Sequence, residues 1–264
     1  MRLLIFMAAL SAANACDFAA LEMQDRRADD SIATGRLPDA RLALHSLTEL
    51  ARSCGDSAVE VNIRAMIALA GVERMTGHAK DSLAWARRAA DLSENSATPN
   101  APLHADALLA LAQAQAASGK FYEAEPVIQQ AIEIWQREGG NHRAELATCI
   151  NTLAVLYLGL ADPDGARRQL RKALEYGRNS GADLVVATSL HSLATAAWQQ
   201  GDGEQSLRYL DEAFTLAEHV LGHNHPYLAD ILASYSRVLA SLHRKDEARQ
   251  YRDRARALTA LMAH

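Results

Sequence analysis

GKFYEAEPVI, at residues 119–128, has five counterparts elsewhere in the chain. They are GRLPDARLAL (35–44), GHAKDSLAWA (77–86), ADPDGARRQL (161–170), GDGEQSLRYL (201–210) and HRKDEARQYR (243–252). The starts of the six segments are 42, 42, 42, 40 and 42 residues apart. A repeat of this length is one structural unit that cannot bury its apolar face alone, so its neighbours must cover that face. The period therefore predicts a stacked array of six units.

Three columns of small residues set the register of the repeat. The first, early in each segment, holds Ala40, Ser82, Ala124, Ala166, Ser206 and Ala248. The second, seven residues on, holds Ala89, Ala131, Ala173, Ala213 and Ala255, with Leu47 as the one exception among the eighteen positions. The third, before each turn, holds Ala28, Ala70, Ala112, Ala154, Ala194 and Ser236. Two helices approach closely only where side chains are small, and apolar residues at helical spacing fill the seam between them. The columns predict antiparallel helical hairpins.

These residues resemble the tetratricopeptide repeat (TPR) family, and the period resembles its kinesin-light-chain-like subtype. The strings GKFYEAEPVIQQAIEI (119–134), NTLAVLY (151–157) and VLGHNHPYLA (220–229) carry the resemblance. It implies an all-α fold, an α-α superhelix or solenoid of six helical hairpins, in a single domain over residues 16–264. The expected repeats are roughly 17–58, 59–102, 103–141, 142–181, 182–225 and 226–264.

The first fifteen residues differ from the rest. Arg2 supplies a positive charge, residues 3–10 form a short apolar run, and Ala13-Asn14-Ala15 matches an A-x-A cleavage site. These are the three parts of a secretory signal peptide. An apolar N-terminal helix in a cytosolic protein is the alternative. We expect residues 1–15 to be removed and the mature chain to be secreted or periplasmic.

Cys16 and Cys54 lie symmetrically about the first turn, each nineteen residues from Gly35. In an antiparallel hairpin the start of one helix neighbours the end of the other, and disulfides persist outside the cytosol. We therefore predict a Cys16–Cys54 disulfide. The alternatives are two unrelated thiols, or a lipid anchor on Cys16, for which the preceding residues match a lipobox poorly. Cys149, among apolar residues, is expected to be a buried, inert thiol.

Composition and motifs exclude several classes of function. The formal net charge is −5, with no concentrated basic stripe, so nucleic acid is not expected as a partner. No apolar run approaches the roughly 18 residues of a transmembrane span. No nucleophile elbow, phosphate loop or zinc-protease helix is present, so we expect neither an enzyme nor a cofactor.

His219, His223 and His225 form an H-x3-H-x-H string that would suit a metal. Gly222 and Pro226 within and after this string are typical of a helix end and the start of the next helix, so no metal is predicted.

A solenoid of hairpins presents a concave surface lined by its first helices, which such proteins use for extended ligands. The resemblance places the lining residues on the first-helix face turned away from the second helix. The candidates are Arg64, Arg74, Gln113, Asn151, Val155, His191, Thr195, Trp198, Asp230 and Arg237. The alternatives to a binding role are that Trp198 packs between hairpins and that the arginines are solvated charges at the surface.

The resemblance assigns a role to one of these positions. Asn151 stands where the kinesin-light-chain-like pattern has one of two adjacent asparagines that contact a bound peptide's backbone. Thr152 occupies the other place, so the pair is incomplete. The sequence predicts a non-catalytic scaffold that binds a protein or peptide in its groove. The alternative is a structural or assembly subunit of an envelope complex that acts through its convex or terminal surfaces.

Overall fold

The computed structural model describes residues 16–138 and 142–261, and this part of the chain contains twelve α-helices and no strand. The helices are α1 (Phe18–Ala33), α2 (Leu37–Ser53), α3 (Val59–Met75), α4 (Ala79–Glu94), α5 (Ala101–Ala117), α6 (Phe121–Glu138), α7 (Arg143–Gly159), α8 (Pro163–Ser180), α9 (Asp183–Gln199), α10 (Gly203–Leu221), α11 (Pro226–Ser241) and α12 (Lys245–Leu261). Each odd-numbered helix pairs with the next to form a hairpin, and each hairpin packs on the following one. The predicted fold class is confirmed.

The small-residue columns lie at the centre of each hairpin. Every alanine and serine in the column that begins with Ala40 is buried, as is every member of the column that begins with Leu47. Where a serine replaces alanine, it bonds to the facing helix: Ser82 Oγ donates to the carbonyl of Ala70 at 2.8 Å, and Ser206 Oγ donates to that of Ala194 at 2.7 Å. The helices therefore approach closely enough for a serine side chain to reach the opposite backbone.

The turns within the hairpins use the left-handed backbone region. Glycine occupies that position in four hairpins, for example Gly77 with a φ of 81°. Ala161 and His243 adopt the same conformation, with φ values of 57° and 62°. A residue with a Cβ atom is disfavoured there by about 1–2 kcal/mol, so the packing of these two hairpins outweighs a local cost.

The predicted disulfide is present in the first hairpin. Cys16 and Cys54 are bonded, with their Cα atoms 4.8 Å apart, and the bond joins the start of α1 to the end of α2. A short 3₁₀ helix, Gly55–Ala58, which the repeat pattern does not predict, then leads into α3. The signal-peptide segment, residues 1–15, lies outside the described residues. Within the described part, no helix is both long enough and apolar enough to cross a membrane.

Candidate binding groove

The first helices of successive hairpins lie side by side and form one continuous surface. Helix α3 packs against α5, α5 against α7, α7 against α9, and α9 against α11. Because the second helices lie behind them, the faces of α3 to α11 that point away from the second helices form the inner wall of the superhelix. We call this surface the groove.

The superhelix curves far enough for its first hairpin to touch its last. A Cβ atom placed on Gly35, in the turn between α1 and α2, lies 3.4 Å from Cδ of Pro226 and 3.7 Å from the carbonyl oxygen of Asn224. Both Gly35 and Pro226 are buried, although one lies at a turn and the other begins a helix. We call this contact the seam. It joins the first hairpin to the start of α11, and Arg74 on α3 and Asp230 on α11 are close enough to affect each other's pKa.

The middle of the groove carries polar side chains that bridge neighbouring helices only in part. Gln113 Nε2 donates to Thr152 Oγ1 at 3.3 Å, which links α5 to α7. Asn151 Oδ1 is buried and has no hydrogen-bond partner among the described residues. Val155, one turn further on, is 37% exposed although it is apolar, and Thr195 is half-buried. This part of the groove therefore offers an apolar contact beside an amide whose oxygen has no partner.

His191 and Trp198 are engaged by the adjacent helix α11. The ring nitrogens of His191 lie 3.2 Å from the Tyr227 hydroxyl and 2.8 Å from Ser234 Oγ. Burial, with a smaller contribution from Arg237, lowers the pKa of His191 to about 4, so the ring is neutral and joins α9 to α11. Trp198 Nε1 donates to Ser241 Oγ at 3.2 Å. Its ring is half-buried, so part of it is accessible to solvent.

Two arginines on opposite sides of the groove flank one carboxylate. Arg74 on α3 and Arg237 on α11 both lie near Asp230, and both lower its pKa, although burial outweighs them and raises the pKa overall. Among the described residues, neither arginine has a carboxylate oxygen within 4.0 Å. The Arg237 guanidinium instead lies 5.8 Å from the centre of the Trp198 ring and donates to Ser234 Oγ at 2.9 Å. Arg64 is exposed and lies 3.8 Å from Glu60.

The structure adds Asp106, which is absent from the predicted set. It lines a cavity of about 740 Å³ between α3 and α5, together with Arg64, Arg74 and Gln113. Burial, and then the carboxylate of Glu145, raise the pKa of Asp106 to about 6, against a smaller opposing effect of Arg64. The register contains a signal for this residue, because Asp106 stands 42 residues after Arg64, a predicted lining position.

Cys149 is buried close to this carboxylate pair. Burial first, and then Asp106 and Glu145, raise the pKa of its thiol to about 12. The thiol therefore stays protonated and unreactive at neutral pH, as predicted.

The histidine string lies apart from the groove lining and serves helix ends. His225 Nδ1 accepts a hydrogen bond from the backbone nitrogen of Tyr227 at 3.2 Å and so caps α11. His223 Nδ1 lies 2.9 Å from a carboxylate oxygen of Glu218. Within the described ranges, no group of three or more potential metal ligands comes together.

Solved structures with the same fold come from several kinds of protein. BtubC (BKLC) from P. vanneervenii is 19% identical, with a TM-score of 0.57 over 92% of each chain. A putative kinesin light chain from Podospora anserina, with nearly identical TPR-like repeats, is 17% identical, with a TM-score of 0.50 over 75% of this chain and 95% of that one. At these identities the likeness concerns the fold alone.

A third structure is the Rap conjugation gene regulator of the plasmid pLS20 in complex with the Phr* peptide. It is 14% identical, with a TM-score of 0.67 over 93% of this chain and 76% of that one. No curated protein sequence gives a significant match.

The family model described as tetratricopeptide repeat matches residues 103–179 and 185–259. These two stretches make up more than half of the 264 residues and span hairpins whose columns, turns and stacking are those set out above. The chain belongs to the tetratricopeptide repeat family.

Proposed function

We propose that this protein is a non-catalytic scaffold that binds an extended peptide segment of a partner protein in its groove, and that it does so in the periplasm or outside the cell. One observation carries the proposal. Among the described residues, the groove has polar and apolar groups that the fold leaves unused, namely the Asn151 amide oxygen, the exposed Val155 and the Arg74 guanidinium, which has no carboxylate oxygen within 4.0 Å. An extended backbone supplies the partners that such groups lack.

The comparisons support the binding of a peptide in general, without naming one. The Rap regulator of similar fold was solved in complex with the Phr* peptide. The location rests on the N-terminal sequence and on the Cys16–Cys54 disulfide, since disulfides persist mainly in oxidising compartments.

The test begins with selection of binding peptides from a random, unstructured library, using the chain from residue 16 onward. Each selected peptide is then titrated against single variants by fluorescence anisotropy. We expect Val155→Glu to weaken binding by about tenfold or more, because it places a charge at an exposed apolar contact in the groove. Trp198→Ala should weaken it comparably.

Tyr122→Ala is the matched control, because Tyr122 is 81% exposed and lies on the second helix α6, outside the groove. If the selected peptides bind the Val155→Glu and Trp198→Ala variants as tightly as they bind the original chain, the groove is not the binding site. Val155→Glu is informative even if Trp198→Ala destabilises the fold, since the Val155 side chain already reaches solvent.

A further inference from the structure

The outer face of the last hairpin carries different side chains from the corresponding faces of the five earlier hairpins. Arg252 on α12 occupies the column that in the five earlier hairpins holds Leu44, Ala86, Ile128, Leu170 and Leu210, all of them buried. Arg256 occupies the column of Thr48, Ala90, Ile132, Leu174 and Phe214. The second helix of each earlier hairpin packs against the first helix of the next hairpin. In the last hairpin, Arg252 and Arg256 are exposed.

Between these arginines lies a trough of small residues. The trough has a volume of about 660 Å³, and its floor includes Ala229, Ala233, Ala255 and Ala260 from α11 and α12. Arg237, Arg252 and Arg256 line it, with Asp230 as its one carboxylate. Small floor residues allow the close approach of a helix.

The two ends of the solenoid differ in how their charges are satisfied. At the first hairpin, the outer face carries Arg26 paired with Glu22, and Arg36 lies 3.9 Å from Asp39. At the last hairpin, Arg256 has no carboxylate oxygen within 4.0 Å in the part of the chain that the structure describes. Arg252 has only its neighbour Asp253, at 3.9 Å. Acidic and basic side chains balance on the outer face of the first hairpin. The outer face of the last hairpin carries a positive charge, although the net charge of the chain is −5.

We propose that the trough on α11 and α12 is a docking surface for an α-helix of a partner protein that carries carboxylates along its covered face. The helix takes the place that the first helix of a seventh hairpin would occupy. Its small or apolar seam packs on the alanine floor, and its Asp or Glu side chains pair with Arg252 and Arg256. A second copy of this chain fits less well, because the outer face of its first hairpin carries as many arginines as carboxylates and so offers no net negative charge.

The test uses two synthetic helical peptides of the length of α9, 17 residues, with the same alanine–leucine seam. One has glutamates flanking the seam and the other has glutamines. Fluorescence anisotropy should show that the glutamate peptide binds the full chain at least about tenfold more tightly than the glutamine peptide. The double variant R252E/R256E should lose at least about tenfold of that affinity, and added salt should weaken the binding.

Arg208→Glu is the matched control, because Arg208 is an exposed arginine on α10, away from the trough. Equal affinity for the two peptides, no binding of either, or unchanged affinity of R252E/R256E would overturn the proposal. Sedimentation that shows self-association abolished by R252E/R256E would also overturn it, because the occupant would then be a second copy. Val155→Glu should leave binding of the glutamate peptide unchanged, which separates this surface from the groove.

Discussion

At the scale of single residues, Asp106 shows how the fold raises the pKa of a carboxyl group that belongs to no sequence motif. Its pKa is raised from 3.8 to about 6, chiefly because the carboxyl is buried beside the α3–α5 cavity. The sequence column predicts its place on the lining. It does not predict the raised pKa, which depends on how far α5 and α7 shield the carboxyl from water and on the distance to Glu145.

The sign of the effect on stability follows from the direction of this shift. A raised pKa means that the folded state prefers the protonated carboxyl, so the contribution is fully present below pH 3.8 and is lost as the pH rises through about 6. Asp106→Asn keeps a neutral group at all pH values. We expect it to raise the free energy of unfolding at pH 7.5 by about 2 kcal/mol relative to the unchanged chain, and by much less at pH 4.

Urea unfolding at the two pH values measures this difference. Asp91→Asn, at an exposed carboxylate on α4, serves as the control and should shift neither value appreciably. Equal stabilisation by Asp106→Asn at both pH values would show that the carboxyl titrates normally.

At the scale of elements, each hairpin repeats the same arrangement: two antiparallel helices packed through small residues and joined by a turn in the left-handed backbone region. The small columns and the turn positions predict the six hairpins and the places of their turns, because they mark where helices touch and where the chain reverses. The arginines of α12 could also be read from the columns once the register is known. The 3₁₀ turn at Gly55–Ala58 could not, because a connection of this kind varies from repeat to repeat.

Among the described residues, a neighbouring hairpin packs on only one face of the first hairpin, and the disulfide adds to its stability. Closing a loop with a sequence separation of 38 stabilises the fold by about 3–4 kcal/mol in the chain-entropy model. We expect Cys54→Ser to lower the free energy of unfolding by about 3 kcal/mol. Amide exchange should speed up in α1 and α2 while α7 to α10 stay protected, because stacked repeats are stabilised mainly by their nearest neighbours.

Intact-mass measurement provides the check on the unchanged chain. We expect a mature protein that begins at Cys16 and is two hydrogens lighter than the fully reduced form. Three free thiols, or a lipid attached to Cys16, would contradict the disulfide. Cys149→Ala is the matched control for Cys54→Ser, since it removes a thiol and leaves the bond in place.

At the scale of the whole molecule, the seam is the feature that the sequence repeat does not predict. Gly35 and Pro226 are 191 positions apart, and their contact depends on a small rotation between hairpins that accumulates along the array. Periodicity predicts that a concave surface exists. It does not say whether its ends meet.

The seam predicts that the turn of the first hairpin touches the start of α11 in solution. Spin labels at Thr34 and His223, both exposed and next to the contact, should report one short, narrow distance distribution by pulsed electron resonance. A matched pair at Thr34 and Tyr122 should report a longer one, since no seam contact joins the first turn to α6. A long or broad distribution for the first pair would mean that the superhelix is open.

The disulfide also changes how the molecule responds to a pulling force. The bond bridges Cys16 and Cys54, so tension applied at residue 16 and at the end of α12 passes through the sulfur atoms and bypasses α1 and α2. The stretched chain is then shorter by about 130 Å than its reduced form, at roughly 3.5 Å for each of the 38 bridged steps. The first hairpin is thus mechanically shielded, and the tension acts first on the hairpins that form the groove.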